Sequence, residues 1–106
     1  LTGKFLTGES LPNARINLFQ RFSRYNSENA TKATILYHQI AIDNGMTLTQ
    51  MALAFIRKQF FVTSTIIGAT SLKQLQENIQ TSQITLTQNV IDAINQVQEI
   101  YPNPSP

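Results

Sequence analysis

One short stretch of this chain reads as a β-strand, and nothing else in the chain offers it a partner. Phe60, Phe61, Val62, Thr63, Thr65, Ile66 and Ile67 stand close together. They are β-branched, aromatic or both in alternation, the types that fit a pleated, half-buried surface. The pattern predicts a short buried strand at Ser64 to Gly68. A lone strand leaves its N–H and C=O groups unpaired, and burying them in that state is costly. Three solutions follow. Another polypeptide supplies the missing strands, or the strand pairs with a second copy of this chain, or the segment stays irregular while helices pack as a small cluster. We expect a mostly helical unit that self-associates. Phe60, Phe61, Ile66 and Ile67, with a further seam at Ile35 and Ile42, would otherwise expose more apolar surface than a soluble monomer tolerates.

The remainder supports about four helices beside that one strand. Residues 1 to 26 contain Gly3, Gly8 and Pro12 with little periodicity, and read as a loop. Ala33, Leu36, Tyr37, Ile40 and Ala41 then repeat at helical spacing, with Ser27 as the N-cap and Gly45 as the stop. Thr47 to Gln50 forms a capping box. The helix that it opens, Met51 to Ile56, is apolar almost all round and is expected to be buried, with Arg57 and Lys58 at its C-terminal end. Ile84 and Leu86 read as extended. Thr87 caps a last helix with Val90, Ile91, Ile94 and Val97 on its apolar side. Residues 102 to 106 form a proline-rich tail.

Composition fits one small ordered domain: 106 residues, 42% hydrophobic and 13% charged. The absence of cysteine excludes disulfides and thiolate metal sites, and agrees with a cytoplasmic setting. The longest apolar run, Met51 to Ile56, is too short to span a bilayer, so no membrane role is expected. The chain opens at Leu1 without a methionine, so a piece of a longer protein is expected. Net charge is +2. Lys4, Arg15, Arg21 and Arg24 face only Glu9 in residues 1 to 24, which makes either a solvated basic segment or an anion site. The sequon at Asn29 is read as chance.

The most informative stretch is STIIGATSLKQLQEN, residues 64 to 78. A strand-like run meets Gly68, then small hydroxyl residues, then a helical pattern. At about 100° per residue, Leu72, Leu75 and Ile79 share one side of that helix, while Thr70, Gln74, Glu77 and Asn78 share the other. A helix start offers free N–H groups and a positive dipole end. Gly68 permits close approach of a ligand. Thr70 or Ser71 caps the helix or meets a phosphate oxygen, and the amides of Gln74 and Asn78 suit a base edge. An ordinary amphipathic helix with a solvated polar face gives the same pattern.

IIGATSLKQLQEN resembles the last strand-to-helix junction of the aldo-keto reductases. LTGK at residues 1 to 4, ARINLFQRFSRYN at 14 to 26, MALAFIRKQ at 51 to 59 and YPNP at 101 to 104 resemble further segments of that family in the same order. The bacterial Tas-type reductases are the most similar branch, and potassium-channel β-subunits are more distant kin. The resemblance implies an α/β fold, the C-terminal third of a (β/α)8 barrel, with residues 1 to 26 as a cofactor loop and 27 to 101 as helices around one strand. It implies an NADP(H)-dependent oxidoreductase that reduces carbonyls to alcohols in its intact form. The family's Asp, Tyr, Lys and His tetrad lies on earlier strands, so this chain holds no catalytic residue and is not catalytic alone. His38, beside Tyr37, is not that histidine; helical geometry sets it roughly 130° from the buried face, in solvent.

Carried over residue by residue, the family's cofactor positions fall on Leu1 and Lys4 along the pyrophosphate, Arg15 near the adenosine phosphate, and Gly68, Thr70, Gln74, Glu77 and Asn78 at the junction. Ser71 and Lys73 are weaker candidates. Two departures matter. The glycines that usually precede the leucine are missing, and so is the arginine that the family often places on the junction helix. The implied partners are the nucleotide cofactor, and either the missing barrel segment or a second copy. The alternative function is a non-catalytic helical module that binds a partner or nucleic acid through its basic segment. Aromatic and basic residues do not interleave as nucleic-acid motifs require, so nucleic acid is disfavoured.

Overall fold

The computed structural model describes Thr2 and residues 27 to 105. Among these are four α-helices: α1 (Glu28–Asp43), α2 (Leu48–Lys58), α3 (Leu72–Gln80) and α4 (Gln88–Ile100), with a 3₁₀ turn at Thr81–Gln83 between the last two. Each start is set by a side chain predicted to set it. Ser27 Oγ accepts the N–H of Ala30 at 3.1 Å. Thr47 and Gln50 close a reciprocal capping box, at 3.1 and 2.9 Å. Thr87 Oγ1 accepts the N–H of Val90 at 3.4 Å.

The end of α1 shows why a glycine stands there. Gly45 takes a φ of +70°, and a Cβ placed on it would meet nothing within 4 Å. Backbone conformation, not space, selects glycine. The left-handed turn lets Gly45 donate to the Ile42 carbonyl and Met46 to the Ala41 carbonyl, both at 3.0 Å. Those two bonds are a Schellman closure.

The core lies where α1 meets α2 and α4. Ala41, Leu48, Met51, Ala54, Leu86, Val90 and Ile94 form one buried cluster, and Tyr37, Ile40 and Phe55 pack around it. α3 joins through α2 and the 3₁₀ turn. Polar ties hold that side. Arg57 donates from Nη1 to the Thr81 carbonyl at 2.6 Å and from Nη2 to the Ile84 carbonyl. Lys58 reaches the Leu86 carbonyl at 3.3 Å. The buried Thr81 hydroxyl donates to the Asn78 carbonyl at 2.6 Å.

Three expectations need correction. The strand at Ser64 to Gly68 does not form; residues 64 to 69 lack both helix and ladder. No other strand exists among the described residues to receive its backbone groups, so the irregular solution prevails there. Of the α2 residues expected to be buried, Met51 and Ala54 are, but Ile56 is exposed. Its neighbours cover one face only. On α1, the buried stripe runs through Ala30, Ala33 and Ala41, while Leu36, Ile35 and Ile42 are exposed. The second apolar seam therefore faces away from the cluster. His38 is exposed, as its angular position requires.

Candidate functional site

The junction is built by short hydrogen bonds that fix which atoms its polar side chains present. Ser71, not Thr70, caps α3, accepting the Gln74 N–H at 3.2 Å. Thr70 instead donates twice to Gln74 Oε1, from its N–H at 2.9 Å and its hydroxyl at 3.1 Å. With its carbonyl so engaged, Gln74 presents its amide NH₂ outward. Asn78 Nδ2 donates to the Gly68 carbonyl at 3.2 Å, tying the helix to the end of the extended run. Asn78 Oδ1 is the atom left to accept. Glu77 Oε1 accepts from the Thr47 hydroxyl at 2.8 Å, a link from α3 to the start of α2.

These groups share one cleft of about 340 Å³, lined by Thr2, Thr47, Thr49, Gly68, Gln74, Glu77 and Asn78. Gly68, Gln74, Glu77 and Asn78 share this lining; of the four residues that the helical angle put on one face, Gln74, Glu77 and Asn78 are in it. Thr70 stands behind Gln74 as its orienting partner and is not in the lining. Lys73 and Ser71 are not in it either. Leu1, Lys4 and Arg15 lie outside the described residues. Thr2, from the same LTGK segment, does line the cleft.

Thr2, Thr47 and Thr49 were not singled out as site residues from the sequence. The capping box located Thr47, but its partner Glu77 lies thirty residues away. Nothing in local pattern encodes that distance. Chemically the cleft offers both hydrogen-bond donors and acceptors. It presents a carboxylate and an amide oxygen as acceptors and an amide NH₂ as donor, in a mostly neutral rim. Among the described residues its lining holds no cation. A Cβ on Gly68 would meet no atom within 4 Å, so the space over that backbone is open.

A second hollow, about 270 Å³, lies between α1, α2 and α4, lined by Tyr37, Met51, Ala52, Phe55, Ile56, Ile94 and Gln98. It is apolar apart from the Tyr37 hydroxyl and the Gln98 amide. Partial burial pushes the Tyr37 phenol above its ordinary value. Tyr37 is the one titratable side chain among the described residues of that lining. Among the described residues no group of acidic or histidine side chains is arranged to hold a metal. No described helix is long and apolar enough to cross a membrane.

The profile of the Aldo/keto reductase family matches residues 1–99. Protein tas of Escherichia coli (strain K12) is 44% identical over 106 residues, which is 100% of this chain and 31% of that protein. Protein tas of Shigella flexneri matches to the same extent. L-glyceraldehyde 3-phosphate reductase of E. coli (strain K12) is 32% identical over 84 residues, 76% of this chain and 24% of that protein. The chain therefore spans less than a third of the length of the curated relatives it matches.

Proposed function

This chain belongs to the aldo/keto reductase family, and from that premise we propose that it is the part of an NADP(H)-dependent carbonyl reductase that holds the adenosine end of the cofactor. The observation that carries the reading is the shared cleft: Gly68, Gln74, Glu77 and Asn78 line one space with complementary donors and acceptors. Bound NADPH would supply the hydride. The residues here would supply orientation. Glu77 and Asn78 accept from an exocyclic amine, Gln74 donates to a ring nitrogen, and Gly68 lets the base approach the backbone. Arg15 and Lys4 would meet the phosphates, where a guanidinium pairs two phosphate oxygens at once. Carbonyl reduction would belong to the assembled barrel, whose earlier strands would carry the acid that protonates the product oxygen.

Titration of the chain with adenosine 2′,5′-bisphosphate and with 5′-AMP, by calorimetry and NMR, tests the reading. The bisphosphate should bind more tightly, weakly in absolute terms, with shifts confined to residues 1 to 26 and 64 to 80 and to the cleft-lining residues 47 to 49. Equal affinities would remove the preference for NADP. Shifts elsewhere would remove the site. Reduction of a carbonyl by a sample pure by intact mass would overturn the non-catalytic assignment.

A further inference from the structure

The carboxylate that faces the cleft is held by a residue from a different helix. Thr47 has one hydroxyl proton and lone pairs to accept with. Its Oγ1 accepts the Gln50 N–H at 3.1 Å as the cap of α2. Its proton goes to Glu77 Oε1 at 2.8 Å. The second carboxylate oxygen is the one that Thr47 does not engage, and Glu77 and Asn78 both line the cleft. Thr47 lines the same cleft as the carboxylate that it bonds. Acceptors on Glu77 and Asn78 suit a purine that carries an amino group and oppose one that carries an oxo group.

Resting on the nucleotide reading above, we propose that Thr47 is a positioning residue: its hydroxyl fixes the Glu77 carboxylate and so sets the preference of the cleft for an amino-bearing purine over an oxo-bearing one. The capping role alone does not require this. Any good N-cap residue would hold α2, but only one with a proton to give orients Glu77.

The test compares NADP with its hypoxanthine analogue on the full chain, by calorimetry, with melting temperature measured beside it. The wild type should prefer NADP by about tenfold, the worth of one well-placed hydrogen bond. Thr47→Asp keeps a side-chain acceptor for the Gln50 N–H but donates nothing and repels Glu77. It should keep the melting temperature and lose most of the preference. Thr47→Ser retains the proton and should keep both. Glu77→Gln gives a second route that does not touch the cap. With Thr47 holding its Oε1, the new amide turns NH₂ to the cleft, and the preference should invert toward the hypoxanthine analogue. An unchanged preference in Thr47→Asp overturns the proposal and leaves the nucleotide reading standing. If Thr47→Asp does not fold, an unaltered preference in Glu77→Gln overturns it instead. Failure of the wild type to bind either dinucleotide overturns both.

Discussion

The two halves of this molecule are stabilised by different physics. Where α1, α2 and α4 meet, side chains such as Met51, Val90 and Leu86 are almost wholly removed from water. Around α3 none of the helix's own residues is buried. Leu72 and Ile79 stay largely exposed on its outer side, as do Phe60 and Ile66 on the run before it. What holds α3 is polar: Arg57 on two carbonyls, Thr47 on Glu77, Thr81 on its own turn. The first half is held chiefly by its buried cluster. The second half has a polar cleft on one side and an exposed apolar face that calls for cover. In the reading above, that cover is the rest of a barrel.

Breaking the first half should have the largest effect. Met51 is 1% exposed, so Met51→Ala should destabilise the chain by about 2–5 kcal/mol in denaturant unfolding, through lost transfer energy and the cavity left behind. A loss under ~1 kcal/mol would show that the cluster collapses easily onto the gap. Arg57→Ala should cost less, about 1 kcal/mol for hydrogen bonds that are partly open to water. Its signature is regional: amide exchange should accelerate across α3 and residues 81 to 84 while α1 and α4 stay protected. Uniform acceleration would mean that the two halves open as one.

The outer face gives a third contrast. Ile66 is 98% exposed, so Ile66→Ser should leave the melting temperature of a dilute sample within error. Light scattering at high micromolar concentration should nonetheless show less self-association. A wild type that stays monomeric there would sink that expectation. The smallest effect belongs to the exposed Glu28–Lys32 pair, 2.6 Å apart on α1. The hydrogen bond and charge of Lys32 hold the Glu28 carboxyl below its ordinary value of 4.5. Its contribution is present above that value and is lost as pH falls through the lowered one. Lys32→Ala should barely move the melting temperature at neutral pH and should slightly flatten its fall in acid.

How much of this was legible depended on the range of the interaction. Ser27, Thr47 and Thr87 announced their helices because a cap bonds three residues on, within a window that local pattern covers. The polar face of Gln74, Glu77 and Asn78 followed from helical angle alone. The family resemblance rested on the same local stretches, and the profile match sustained it. The strand at Ser64 to Gly68 failed for the opposite reason. β-propensity reports fitness for a sheet, and whether a sheet exists depends on residues elsewhere. Thr47 beside Glu77 was hidden by the same separation. So was the outward turn of Ile35 and Ile42, since periodicity finds an apolar seam without finding what lies opposite.

The Ser27 hydroxyl does more than cap α1. While its oxygen accepts the Ala30 N–H, its proton bonds the Pro104 carbonyl at 2.6 Å, across 77 positions of sequence. Closing so long a ring from an open chain would cost far more ordering entropy than one partly wet bond returns. The packing of α4 on α1 has already closed the ring, so the bond forms almost for free. It is therefore a gauge rather than a girder. The exchange rate of that one hydroxyl proton would report, at a single atom, whether the first and last described helices are docked.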